Sequence, residues 1–202
     1  NWSKNQEIPK PIPPGRAAYL MAQACESLAE AHDMGFIHRD VKPSNIMTCA
    51  YGQEVDFVKV LDFGLMIPRT EEPGPALVSA SLPVIPKANF DTSLTAGSTP
   101  MGTPGFMSPE QVLRKKLDPR SDIYSVGCVA YWLLTGKEPF EGGTAEEIRA
   151  RHVSEAPIRV SQNTGEKIPA KLEDLVMSCL AKDPNDRPST ARILRDAFRD
   201  SV

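Results

Sequence analysis

The sequence predicts a mainly α fold with one small β-hairpin sheet. Three observations carry that prediction. Apolar residues recur every three or four positions in three stretches, the spacing of one helical face, and a fourth is apolar nearly all round. Strand-like runs are confined to Asn45–Thr48 and Phe57–Leu61, which lie on either side of a Tyr51-Gly52 turn. Twelve of the 19 prolines gather before Gly15 and between Ile67 and Pro109, where no regular pattern is sustained.

The elements follow in order. Pro9, Pro11, Pro13 and Pro14 form an entry linker, and Pro14 suits the first turn of a helix, where its missing N–H is no loss. Ala18, Met21, Cys25, Leu28 and His32 then repeat at helical spacing until Gly35. Asn45–Thr48 and Phe57–Leu61 make the hairpin. Ile67–Pro109 is rich in Ser, Thr, Pro and Gly, and a loop of that length inside a domain is functional or disordered. Asp122–Thr135 is apolar nearly all round and stops at Gly136, which predicts a buried central helix. Thr144 and Glu147 have capping-box spacing and open a short helix towards His152. Leu172, Leu175, Val176, Cys179 and Leu180 mark another helix. A last one begins at Ser189 and carries Ile193, Leu194, Ala197 and Phe198.

A chain of 202 residues suits one domain, and 41% hydrophobic with 24% charged residues is globular composition. The net charge of −3 supplies no basic field for nucleic acid. The longest apolar run, Val126–Leu134, is about half of the ~20 residues a membrane helix needs. The polar, proline-rich start does not resemble a signal peptide. Cys25, Cys49, Cys128 and Cys179 stand singly, without metal-site spacing, which suits buried thiols in a reducing compartment. The expectation is a cytoplasmic segment, with membrane anchoring elsewhere in a longer protein left open.

Chemistry is concentrated in Phe36–Thr48, FIHRDVKPSNIMT. Pro43 bars a continuous helix, so Asp40, Lys42 and Asn45 project from a rigid loop. An acceptor, a cation and a neutral oxygen ligand are the groups phosphoryl transfer requires. The hairpin runs into VLDFGL, where Asp62 leaves an apolar strand two residues before a glycine. Alone that is an ordinary turn; together with the first motif it strengthens the phosphoryl-transfer reading.

His38–Asn45 resembles the catalytic loop of eukaryotic-type serine/threonine protein kinases, and Asp62-Phe63-Gly64 resembles their magnesium-binding triplet. Gly102–Glu110, GTPGFMSPE, is similar to the end of their activation segment, with Ser108 where the family usually has Ala. Ser121–Gly127 resembles the start of the large lobe's central helix. Lys182–Pro188 resembles the turn whose arginine pairs with the Glu of the SPE triplet. The wording is most like bacterial members.

The resemblance implies roles, residue by residue. Asp40 is the catalytic base and Lys42 contacts the transferring phosphate, favouring Ser/Thr acceptors. Thr103 bridges to Asp40 and Lys42 and seats the substrate hydroxyl. Asn45 and Asp62 bind Mg2+, while Met47 and Leu61 floor the adenine pocket of ATP. Glu110 with Arg187, and Asp122, are an ion pair and a loop anchor. His38 packs structurally, and residues 65–109 form a long activation segment. Without the resemblance, Asp122 reads as a helix N-terminal acid and Glu110 as a solvated charge. His32 and His152 read as structural, Tyr131 and Trp132 as packing residues, and Arg149 and Arg151 as a solvated face.

A glycine-rich G-x-G-x-x-G loop, a V-A-x-K strand and a helix to supply its glutamate partner do not occur in these residues. The expectation is therefore the C-terminal lobe of the protein-kinase fold, residues 1–202, with small lobe and hinge preceding Asn1. In that reading the parent protein phosphorylates protein Ser/Thr residues with ATP and Mg2+, and the fragment alone is inactive. Two alternatives stay open: a pseudokinase or scaffold lobe acting by protein binding, and a small-molecule phosphotransferase of related fold.

Overall fold

The computed structural model describes residues 11–52, 54–61, 67–68 and 102–202. Helix α1, Pro14–Asp33, starts with Pro14 in its first turn and ends as the Met34 N–H bonds to the Glu30 carbonyl and the Gly35 N–H to the His32 carbonyl. Ala17, Leu20, Met21, Ala24, Cys25 and Leu28 are buried along it. Strand β1, Phe36–Ile37, leads into the loop that carries Asp40. A single 3-10 turn, Pro43–Asn45, then opens strand β2, Ile46–Tyr51, which pairs antiparallel with β3, Glu54–Val60. The hairpin forms as predicted, but Tyr51 still belongs to β2, paired with Glu54, and a bulge lies between Cys49 and Tyr51. A second small sheet was not expected: β4, Ile67–Pro68, pairs with β1 in the register Ile37↔Ile67. Two-residue strands carry no legible alternation, so only the tertiary approach of the two segments reveals them.

The C-terminal part is helical. A 3-10 turn, Pro104–Phe106, precedes α2, Pro109–Val112; α3 spans Pro119–Thr135, α4 Ala145–Ser154, α5 Val160–Asn163, α6 Ala170–Cys179 and α7 Ala191–Arg199. Helix α3 is the hub, buried almost throughout as its composition predicted. It starts three residues before Asp122 because Asp118 caps it, accepting from the Arg120 N–H, and it ends at Gly136 in the left-handed conformation, φ 74°. Gly127 lets α6 approach: a Cβ there would lie 2.6 Å from the Cys179 Cβ. The Thr144–Glu147 capping box forms as predicted.

Helix α7 departs from the reading in two details. Thr190, one residue after Ser189, is its cap and accepts from the Ile193 N–H. Ile193 is 53% exposed rather than part of the inward stripe, which consists of Ala191, Leu194 and Phe198. Arg195 on its other flank ties α7 to α1 through Glu26 at 2.8 Å. Cys25, Cys128 and Cys179 are buried in this helical core, and Cys49 on β2 is half-buried. Burial pushes the Cys179 thiol up to about 12, as expected of an inert packing residue.

Candidate active site

Arg39, immediately before Asp40, has a left-handed backbone, φ 69°, a conformation costly for a side chain with a Cβ. The surrounding hydrogen bonds hold it there. Asp122, buried in the first turn of α3, accepts the His38 N–H on Oδ2 and the Arg39 N–H on Oδ1, both at 2.8 Å. His32, at the end of α1, meets Asp122 Oδ2 through Nε2, also at 2.8 Å. The expected loop anchor is therefore present, and Asp122 is also the helix-dipole acid. His32 is structural, as read, but its partner 90 residues away was not legible locally. His38 is buried, with Nε2 3.0 Å from the Leu61 carbonyl oxygen and Nδ1 accepting from the Asp40 N–H at 3.3 Å. It packs, as the resemblance implied.

The loop then turns Asp40, Lys42 and Asn45 towards one another. Asp40 Oδ2 is 2.5 Å from Lys42 Nζ, and both side chains retain some exposure. Lys42 Nζ donates to Thr103 Oγ1 at 3.0 Å, which brings in the segment 61 residues further on. Among the described hydrogen bonds Thr103 reaches Asp40 only through Lys42, so the direct half of the expected bridge is not formed. Asn45 is buried and its Nδ2 donates to the Asp40 carbonyl at 2.8 Å and to Asp40 Oδ2 at 3.2 Å. With the amide nitrogen so committed, its oxygen is the atom left to face a cation, and the residue fits the expected Mg2+ ligand.

Met47 and Leu61 share a face. Ile46, Val58 and Val60 are buried, whereas Met47 and Leu61 are half-buried, and strand alternation places Met47, Lys59 and Leu61 on the side away from Ile46 and Val60. Leu61 is fixed by its N–H to the Asn45 carbonyl at 2.8 Å. Asp62 lies outside the described residues. The Leu61 N–H bonds to the Asn45 carbonyl, and Ile67 pairs with Ile37 of β1. The rest of the expected activation segment from Arg69 to Met101, with Thr92, Ser93, Thr95, Ser98 and Thr99, is also outside the described residues.

Glu110 and Arg187 form a bidentate ion pair, 2.8 and 3.0 Å, with the arginine fully buried. Burial pushes the Glu110 carboxyl up, and the hydrogen bonds and charge of Arg187 more than reverse this, leaving it below the usual range. Arg187 also donates to the carbonyls of Ala181, Arg120 and Lys182, and its guanidinium lies 4.9 Å over the Tyr124 ring. Next to Glu110, Gln111 donates from Nε2 to the Arg39 carbonyl at 2.6 Å. Nothing in the spacing singled out Gln111, because its partner lies 72 residues away.

The model of the protein kinase domain family matches residues 4–199, nearly the whole chain. The chain belongs to the protein kinase domain family. Serine/threonine-protein kinase pkn3 of Myxococcus xanthus is 37% identical over 187 residues, and PknB of Mycobacterium leprae is 40% identical over 186. Each alignment covers 92% of this chain, against 31% of the first relative and 26% of the second. Serine/threonine-protein kinase pkn2 of Myxococcus xanthus is similar at 38% identity, with 21% of its length covered. The chain thus spans less than a third of the length of these kinases. Protein kinases of this family use ATP and Mg2+. No helix among the described residues is long and apolar enough to cross a membrane.

Proposed function

We propose that this chain is the catalytic large lobe of a serine/threonine protein kinase that transfers the γ-phosphate of ATP to a protein hydroxyl. The observation that carries the reading is the Asp40–Lys42–Thr103 cluster, joined at 2.5 and 3.0 Å and braced by Asn45. Asp40 accepts the proton of the acceptor hydroxyl as the oxygen attacks. Lys42, already beside that carboxylate, offsets the charge that develops on the transferring phosphate. Thr103 belongs to the segment from Gly102 to Glu110, so seating the acceptor depends on how that segment docks against the loop. Asn45 and Asp62 would hold Mg2+, and Met47 and Leu61 would underlie the adenine. Mg-ATP, when bound, supplies the phosphoryl group and a counter-charge for its oxygens.

Residues 65–109 are the activation segment in this reading, and the remaining walls of the nucleotide site come from a small lobe outside these 202 residues. Arg39 supports a regulated form: burial lowers its pKa, and its buried Nε has no hydrogen-bond partner among the described residues. A phosphate on the segment would supply one through charge-assisted bonds. The scaffold alternative has no specific support, since Asp40, Lys42 and Asn45 are assembled rather than dispersed. The test is radiolabelled phosphate transfer to Ser/Thr peptides by the full-length protein. Asp40→Ala and Asp62→Ala should each lower kcat by several orders of magnitude, and more than a tenth of wild-type activity in either overturns the assignment.

A further inference from the structure

We infer that Gln111 is a positioning residue for Asp40, a role that rests on the kinase reading above. The peptide plane between Arg39 and Asp40 sets the direction in which the Asp40 side chain leaves the backbone. Its N–H is held weakly, by His38 Nδ1 at 3.3 Å. Its carbonyl oxygen receives the short 2.6 Å bond from Gln111 Nε2. Asp122 fixes only the two preceding amides, of His38 and Arg39. The left-handed Arg39 backbone is strained, so a released plane rotates towards an ordinary conformation and carries Asp40 with it.

Gln111 is built to hold that carbonyl. It is 8% exposed, and its Oε1 accepts the Ser108 N–H at 2.9 Å, so its NH2 group must face Arg39. The side chain is held by the Ser108 N–H, and the short helix that carries it by the neighbouring Glu110–Arg187 pair. A glutamate would keep the bond from Ser108 but would set a second oxygen against the Arg39 oxygen. An amide accepts at one end and donates at the other, which an ionised carboxylate cannot. Gln111 therefore transmits the placement of the segment ending at Glu110 to the base itself, without touching the reacting atoms.

The test uses the full-length protein with Gln111→Glu, Gln111→Met and Ser108→Ala. Gln111→Glu and Gln111→Met should each lower kcat about tenfold or more, since misplacements of ~1 Å cost about a hundredfold, with KM for ATP and peptide within about twofold. The ratio of Gln111→Glu to wild-type kcat should rise on acidification, because a protonated carboxyl regains a donor. Ser108→Ala weakens the cap but leaves the Ser108 N–H and the Gln111 amide in place, so its kcat should match wild type. Rates are expressed per folded molecule, from circular dichroism melts, and if Gln111→Glu does not fold Gln111→Met decides. Wild-type kcat per folded molecule in the folded Gln111 variants overturns the inference alone. No transfer by the wild-type protein overturns the kinase reading, and the inference with it.

Discussion

Asp122 is the most informative single position to perturb, because one buried carboxylate holds three groups, two in the His38–Asn45 loop and one on α1. Its oxygens receive the His38 and Arg39 amides and meet the His32 imidazole, each at 2.8 Å. A hydrogen bond to a charged group contributes about 1.5–3 kcal/mol, and a buried donor left without a partner costs about 1–3 kcal/mol. Asp122→Ala orphans both amides, giving a gross loss of about 3–6 kcal/mol. Escape of Arg39 from its left-handed conformation offsets about 1 kcal/mol of this, for a net of about 2–5. Asp122→Asn keeps one oxygen and should cost about half as much. Urea denaturation of the chain followed by circular dichroism measures the loss, and amide hydrogen exchange locates it at His38 and Arg39. A cost below about 1 kcal/mol for Asp122→Ala, or unchanged protection of those two amides, would refute the anchoring argument.

Breaking the Glu110–Arg187 pair from one side, with Glu110→Gln, should cost about 3–5 kcal/mol, because it strands a fully buried guanidinium. The folded-state pKa of Glu110 is lowered, so its contribution is present above the unfolded carboxyl pKa and is lost as pH falls through the folded value. Melts taken from pH 7 down to pH 3 should therefore show wild type and Glu110→Gln converging at the acid end. Mass spectrometry of the active full-length protein should find phosphate on Thr95, Ser98 or Thr99; none between Ile67 and Met101 counts against the switch at Arg39. The isolated 202-residue chain should be helical, bind Mg-ATP no tighter than millimolar and transfer no phosphate, since a nucleotide touching one wall stays hydrated. Turnover that disappears in Asp40→Asn would show these residues to be sufficient.

Much of the molecule was legible because the physics involved is local. Helix α1 and the hub α3 follow from apolar periodicity and end signals, and the capping box of α4 follows from a Thr and a Glu three positions apart. The misreadings at α7 have equally local causes: Ser189 and Thr190 are interchangeable as caps by composition, and an apolar Ile193 looks inward until the face against α1 is known. Strands β1 and β4 were invisible, since two residues carry no pattern.

The site divides in the same way. Asp40, Lys42 and Asn45 lie within six residues on a proline-restrained loop, so sequence alone determined that an acceptor, a cation and an oxygen ligand would be neighbours. What joins that loop to the rest could not be read from it. Thr103, Gln111 and Asp122 reach it across separations of 61 to 84 residues, and His32 braces Asp122 across 90. Side-chain type announces that a partner is needed when a group is buried, but not which one. The partner is chosen by the packing of α1, α2 and α3 around the loop. Only that packing makes His32 a brace, Asp122 an anchor and Gln111 a donor to the carbonyl that precedes Asp40.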